Sequence, residues 1–243
     1  MKNNIIYLSV VIPLFNEEKR LKNLKIINEF LKSQKIKSEL IVVNDGSSDK
    51  TLRLIKRLSE QFPLKIITYK SNCGKGYALK TGMLAAKGKY HMFTDIDLST
   101  PIETINQFLK HANKYQIIIG TRKHSKSQVI IRQPKWREFM GKVYTLLSNL
   151  ILNVNVTDLT CGFKFFSKDA SQEIFSRITT NRWGFDAEAI MLARQFKYKL
   201  LEVPVIWSNE RQTRVKLPQD AISSLLELIK IKLKTITNQY KLN

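Results

Sequence analysis

The chain has 243 residues, 43% of them hydrophobic, enough for one large α/β domain or two small ones with a proper core. Lysine and arginine number 41 against 20 acids, a formal charge of +21; this is extreme for a plain metabolic enzyme and implies an anionic partner, whether nucleic acid, acidic membrane or phosphorylated substrate. Two cysteines, Cys73 and Cys161, exclude a disulfide framework or a cysteine metal set, and no apolar run reaches the roughly 18 residues of a spanning helix.

Leu8–Leu14 is β-branched and nearly continuous, the pattern of a buried strand. The strand is too short for a signal peptide, and polar Asn16 and Glu17 follow at once. The expectation is a chain that is soluble or lies on a membrane. Leu21, Leu24, Ile27 and Leu31 at helical spacing predict a helix over 18–33. A second strand over 39–44 runs into Asp45-Gly46-Ser47-Ser48-Asp49, a turn with glycine for the tight backbone and Ser or Asp as helix cap. A helix to about residue 62 and a strand over 64–69 follow. Asn72-Cys73-Gly74-Lys75-Gly76 precedes a helix over 77–86; its glycines permit close approach and a helix N-terminus favours anions, although Lys75 read alone is equally a solvated loop lysine. The spacing is not that of a Walker A loop, and no Gly-x-Gly-x-x-Gly follows the first strand.

The fourth strand, over 90–94, ends in Asp95-Ile96-Asp97. Side chains at i and i+2 of an extended segment point the same way. Two carboxylates on one face repel unless a cation sits between them, and a hard divalent ion shared with a phosphate is the usual solution. The plainer alternative is a solvated turn, with Ser99 or Thr100 as cap and Pro101 opening a helix over 102–113. Arg122 follows the next strand, over 117–120. Strand and helix alternate at short intervals, which predicts an α/β fold: a mostly parallel sheet flanked by helices. Ligands of such sheets bind beyond the carboxyl ends of the strands. Phe15-Asn16-Glu17, Asp45, Asp95 with Asp97, and Arg122 all lie there, which favours a metal-and-phosphate site over the solvated turn.

From Lys123 to Lys142 six cations face Glu138 alone, with Val129, Ile130, Ile131 and Trp136 interleaved. This reads as a mobile basic loop, or as a segment that clamps a phosphate or meets acidic lipid. A helix over 141–154 follows. Asp158 with Cys161-Gly162-Phe163-Lys164, and Arg182-Trp183-Gly184-Phe185-Asp186-Ala187-Glu188, flank a further helix. A last strand over 203–207 leads to Arg211, Arg214 and Lys216. A helix over 220–240 carries Ile222, Leu225, Leu226, Ile229, Leu233 and Ile236 in one stripe flanked by Lys230, Lys232 and Lys234. Its first two turns are expected to pack on the core and its last turns to meet a membrane.

Taken in order, Val10-Val11-Ile12-Pro13-Leu14-Phe15-Asn16-Glu17-Glu18, Val43-Asn44-Asp45-Gly46-Ser47-Ser48-Asp49, Asn72-Cys73-Gly74-Lys75-Gly76, Asp95-Ile96-Asp97 and Gly120-Thr121-Arg122 resemble the inverting glycosyltransferases of family 2, with the GT-A fold. The later motifs look most like dolichyl-phosphate β-glucosyltransferases, with the mannosyltransferases as cousins. The resemblance implies a catalytic unit over 1–217 and an amphipathic basic helix over 218–243. It implies transfer of a hexose from a nucleotide-sugar to a polyprenyl (dolichyl-type) phosphate, with UDP-glucose as the expected donor and GDP-mannose as the alternative. Pro13, Phe15, Glu17, Val43 and Asp45 would shape the nucleoside pocket, Asp45 accepting hydrogen bonds from the base. Asp95 and Asp97, with Ile96 between them, would hold Mg²⁺ or Mn²⁺ on the diphosphate, and Lys75 and Arg122 would add positive charge. The cousins place a metal-contacting Gln where this chain has Ser99, a weaker ligand. They also bind phosphate through an Arg and a Lys after the last strand; Lys216 matches the Lys, and Arg211 or Arg214 the Arg. Arg137 is a further candidate for the acceptor phosphate. The eukaryotic glucosyl enzymes usually carry an N-terminal anchor; none is read here, so the expected location is peripheral, on the cytoplasmic face of a membrane.

A phosphate acceptor is already an anion at neutral pH and needs orientation and charge screening more than a base. If a base exists, Asp158 is the first candidate and Asp186 the second, although Asp186 reads equally as a helix cap. Two rivals stand beside this reading. A family 2 enzyme acting on a polysaccharide or other hydroxyl acceptor would need a base, Asp186 or Glu188. A basic nucleic-acid-binding protein would explain the charge, but no such motif is present.

Overall fold

The computed structural model describes residues 5–210 and 219–240. Seven strands form the central sheet in the order β3-β2-β1-β4-β7-β5-β8. They are β1 (Leu8–Leu14), β2 (Ser38–Asp45), β3 (Lys65–Tyr69), β4 (Tyr90–Phe93), β5 (Ile117–Thr121), β7 (Lys164–Ser167) and β8 (Leu200–Pro204). All pair in parallel except β7, which runs against both β4 and β5. A second, two-stranded parallel sheet joins β6 (Gln128–Ile131) to β9 (Ile206–Ser208).

Alternation along the strands fixes which face each side chain takes. Leu8, Val10, Ile12 and Leu14 of β1 face the core beneath α1 (Asn23–Ser33), α2 (Thr51–Ser59) and α4 (Ile105–His111). Val11 faces the opposite core, built with α3 (Lys75–Ala85), α6 (Lys168–Arg177) and α7 (Phe185–Gln195). Each fully buried Val, Leu, Ile or Phe contributes roughly 1.5–3 kcal/mol of transfer free energy, so a register slip of one residue is strongly disfavoured. The remaining helices, α5 (Lys135–Leu152) and α8 (Gln219–Ile236), lie side by side.

Several elements depart from the sequence expectation. α1 starts at Asn23, because the backbone N–H groups of Asn16, Glu17 and Glu18 are taken by Ser47 Oγ, Thr51 Oγ1 and Asp49 Oδ2 of the neighbouring turn. α3 begins at Lys75, which places that lysine in a helical first turn. α5 begins at Lys135, so Trp136 and Arg137 are helical, with Pro134 accepting the first N–H bonds from Arg137 and Glu138. The strand expected over 203–207 is two strands in two sheets, broken at Val205.

α8 corrects the expectation most clearly. Its inward face is Ser224, Leu228 and Ile231, all buried, with Glu227 beside them. The stripe Ile222, Leu225, Leu226, Ile229, Leu233 and Ile236 is exposed along its whole length, first turns included; the helix is turned the other way, with Glu227 accepting from Gly184 N–H and Tyr240, just beyond it, bonded to Glu188. Beside it α5 exposes Trp136, Phe139, Met140, Leu146 and Leu150. The pair therefore presents a broad apolar surface, far more than the scattered exposed residues of an ordinary soluble face. No helix among the described residues is long and apolar enough to cross a membrane.

Candidate active site

Parallel strands put their carboxyl ends on one edge, and β7, running backwards, adds its first residue there. β1 delivers the 15–17 turn, β2 Asp45, β4 Asp95 and Asp97, β5 Arg122 and β7 Lys164.

The acidic pair sits after β4. Leu98 adopts φ 52°, a left-handed conformation uncommon for a bulky side chain, and Ser99 N–H caps Asp97 Oδ1 at 2.9 Å. Burial and then the neighbouring Asp95 charge push the Asp97 carboxyl above its ordinary range. Asp95 is held on two sides. Lys75 Nζ lies 2.6 Å from its Oδ1. On the other side is Gly162, where any Cβ would collide with Oδ2. Burial pulls Lys75 down, but Asp95, Asp186 and Asp97 together outweigh it and the ammonium is held above its usual range. The pair lies on a turn and not on the extended strand end expected, but the two carboxylates are close enough to repel, and hard oxygen donors of this kind, one partly exposed, suit Mg²⁺ or Mn²⁺ with its other positions left for phosphate oxygens and water.

Arg122 forms a fork with Asp158: Nε to Oδ2 at 2.7 Å, Nη2 to Oδ1 at 2.7 Å, and backbone N–H to Oδ2 at 2.9 Å. Its guanidinium lies over Trp207, 5.1 Å from the ring centroid. The loop carrying Asp158 is pinned in turn by Glu202 of β8, which accepts from the N–H groups of Thr157 and Asp158. Burial would raise Asp158, but the Arg122 charge and its hydrogen bonds outweigh that and hold the carboxyl below the usual range. A carboxylate so bound is a poor base. Asp158 positions Arg122, and the expectation that it is the first candidate base is corrected.

Asp186 opens α7, and its Oδ1 receives Lys164 Nζ at 2.6 Å. Lys164 is completely buried, its ammonium also donating to the Leu159 and Cys161 carbonyls. Burial pushes Asp186 above its ordinary range, against the pull of Lys164 and Lys75. Glu188, the alternative base, is fully buried and accepts from Thr179 N–H, Thr179 Oγ1, Thr180 N–H and Tyr240 OH. It holds the C-terminal turn to the core, which removes it as a candidate base.

Asp45 is buried and accepts from Cys73 N–H at 2.7 Å, Gly74 N–H at 2.9 Å and Asn72 Nδ2 at 2.7 Å. It thereby shapes the 72–74 loop that leads into Lys75, where Gly74 takes φ 105° against the Asn181 carbonyl. Pro13 and Phe15 are half-buried at the end of β1, and Glu17 is buried beside Arg20. The side chains of Val43 and Ile96 are buried in the two cores, Val43 on β2 beneath Gly82 of α3 and Ile96 in the turn closed by Leu98 N–H on the Asp95 carbonyl, so only their main chain is left to line a nucleoside pocket. Burial and the Arg122 charge hold Arg137, half-buried on α5, below its usual range against the pull of Asp97. Arg211, Arg214 and Lys216 lie outside the described residues.

Beside Arg122 a cavity of about 240 Å³ is lined by Lys123, Arg132, Gln133, Glu138, Lys142 and Trp207. Glu138 is the acid among these cations, within 4 Å of Lys123, Arg132 and Lys142. Sequence reasoning quoted Lys164 and Trp183 within motifs but gave neither a role; the Trp183 ring lies 5.9 Å from Lys75 Nζ. The available signal for the first was a lysine heading an aromatic pair after a glycine turn.

Residues 9–175 match the model of glycosyl transferase family 2. Over 98% of its length the chain is 28% identical to a dolichyl-phosphate beta-glucosyltransferase of Dictyostelium discoideum, spanning 77% of that protein. It is 32% identical to the dolichyl-phosphate beta-glucosyltransferase of Saccharomyces cerevisiae, covering 98% of this chain and 78% of the relative. Among solved structures, glucosyl-3-phosphoglycerate synthase from Mycobacterium tuberculosis, in complex with Mn²⁺, UDP and glucosyl-3-phosphoglycerate, superposes with a TM-score of 0.69 at 16% identity, over 93% of this chain and 80% of that one. The sheet order, the strand-end site and these matches converge: the chain is a glycosyltransferase with the GT-A fold and belongs to glycosyl transferase family 2.

Proposed function

We propose that this protein transfers glucose from UDP-glucose to a dolichyl-type polyprenyl phosphate, on a membrane surface and with Mg²⁺ or Mn²⁺. The relatives' names support the sugar and the acceptor, and the solved neighbour with UDP and Mn²⁺ supports the donor and the metal. The observation that carries the reading is the junction on α5. One side of its N-terminal turns closes the cationic cavity at Arg122 through Glu138 and Lys142. The other side begins the exposed apolar surface with Trp136, Phe139 and Met140. A phosphate on a hydrocarbon tail needs that juxtaposition of charge and grease.

Asp95 and Asp97 would hold the metal, which when bound neutralises the charge of the leaving diphosphate. The chain's own residues do the rest. Arg122, fixed by Asp158 and Trp207, and Arg137 orient the acceptor phosphate and screen its charge. The attacking oxygen is already anionic, so no proton has to be removed. Asp186, held by Lys164, would accept from a hydroxyl of the transferred sugar. The apolar face of α5 and α8, edged by Lys142, Lys230, Lys232 and Lys234, lies on acidic lipid, each nearby lysine contributing about 1 kcal/mol.

The test offers a panel of nucleotide-sugars with polyprenyl phosphate in vesicles. A lipid-linked hexose formed from UDP-glucose is the expected product. Transfer to a saccharide hydroxyl, with no lipid-linked product, would overturn the reading and favour a hydroxyl acceptor with Asp186 as its base.

A further inference from the structure

Lys75 touches the acidic pair from the first turn of α3. Its side chain is 22% exposed, its ammonium sits 2.6 Å from Asp95 Oδ1, and the Trp183 ring flanks it at 5.9 Å. Gly162 closes the far side of the Asp95 carboxylate. The 72–74 loop ahead of Lys75 is fixed by three hydrogen bonds to Asp45, and Tyr77 N–H donates to the Asn181 carbonyl, so the helix start is anchored on both sides. The contact is therefore a built pairing and not a wandering surface lysine.

We propose that Lys75 occupies the divalent cation's place on Asp95 until a nucleotide diphosphate arrives, so that the metal enters with the nucleotide and not ahead of it. The inference rests on the reading of Asp95 and Asp97 as the metal pair. A dication approaching the pair meets an Asp95 carboxylate oxygen already accepting from the Lys75 ammonium. To bind, it must displace Lys75 or lie within a few ångströms of it, and at that distance the repulsion is severe. The diphosphate removes the obstacle. It brings negative oxygens that accept from the ammonium, and Lys75 swings to them on its flexible four-carbon stem, with Trp183 as a fixed wall. Asp95 is then released to the metal, and the charges on metal, phosphates, lysine and carboxylates alternate. The consequence is strong mutual coupling between metal and nucleotide, equal in both directions.

Mn²⁺ binding measured by electron paramagnetic resonance and calorimetry, with and without UDP, tests this without any transfer reaction. Wild type should bind Mn²⁺ weakly alone and far more tightly with UDP. Lys75→Met should tighten binding of Mn²⁺ alone by about tenfold or more, and the factor by which UDP improves it should shrink. Lys75→Arg should keep the wild-type order, and Lys75→Gln serves if the methionine variant folds poorly. Lys75→Met or Lys75→Gln protein that binds Mn²⁺ alone no more tightly than wild type, while wild type shows UDP-dependent uptake, overturns the placeholder role and leaves the metal reading intact. Wild type that takes up no Mn²⁺ even with UDP overturns both.

Discussion

Asp97 shows how function and stability oppose each other at a single residue. Its carboxyl is raised by burial and by Asp95, so at neutral pH the folded protein holds a charge that unfolding would relieve. Asp97→Asn should therefore leave the melting temperature unchanged or higher while abolishing metal-dependent UDP binding; a chelator added to wild type should reproduce the binding loss. A variant that keeps full transfer in excess chelator would remove the metal assignment. Asp186 is the residue on which the acceptor class turns. With a phosphate acceptor, Asp186→Asn should slow transfer by roughly an order of magnitude, through lost positioning. With a hydroxyl acceptor the loss of a general base costs about 10²–10⁴-fold and flattens the acidic limb of the pH profile. His91 gives a stability prediction of definite sign. It is fully buried between Ser171 Oγ and the Gly88 carbonyl, and burial pulls it from 6.5 to about 4. The unfolded chain takes up the proton first, so this contribution is complete above pH 6.5 and is lost as pH falls towards 4. Thermal melts of His91→Gln should depend less on pH across that window than those of wild type.

At the scale of elements, α8 is a helix with two jobs on two faces. Leu228 is fully buried, and Leu228→Ala should cost about 2–5 kcal/mol in a denaturant melt. Ile229 and Leu233 are 51% and 56% exposed, so Ile229→Glu with Leu233→Glu should leave that melt unchanged and should release the protein from acidic vesicles in a sedimentation assay. The reverse pattern would mean that the outer face is core in solution. Sequence periodicity reveals the long apolar stripe but not that the body of the protein covers the other face, where Leu228 and Ile231 stand between Ser224 and Glu227. The longer stripe invited the wrong assignment for the first turns. β1, β2 and β5 were legible because β-branched runs ending in polar turns have few other uses, and β4 because its apolar run ends in an acidic pair. β7 was not. Four residues headed by a lysine do not look like a central strand, and a buried lysine is rare unless paired. Its partner Asp186 lies 22 positions away, as hidden in a linear reading as the 36 positions between Arg122 and Asp158.

Across the whole molecule, the net charge of +21 and the apolar face of α5 and α8 act at different ranges. Charge draws the protein to an anionic surface and is screened over about 10 Å at 0.1 M salt; the apolar face then holds it by contact. Binding to acidic vesicles should weaken several-fold between low and high salt, and neutral vesicles should bind little at any salt. Full-length protein that remains in the supernatant with acidic vesicles at low salt would remove the membrane from the reading. The acidic edge of the sheet was visible in sequence because each group follows a strand at a fixed offset. The nucleoside side was less so: Val43 on β2 and Ile96 in the turn after β4 turn their side chains into the cores, and Asp45 binds the neighbouring 72–74 loop. The Tyr240–Glu188 bond bears on how such a protein can be handled at the bench. Tyr240 is buried, its carbonyl receives Arg177 Nε, and its hydroxyl donates to a carboxylate with no access to water. Shortening the tail past this point would strip a ring from the core and leave Glu188 short of a donor. Trimming the C-terminus to obtain a lipid-free, crystallisable form should therefore yield aggregated or protease-sensitive material, whereas recharging the outer face of α8 should yield a folded one.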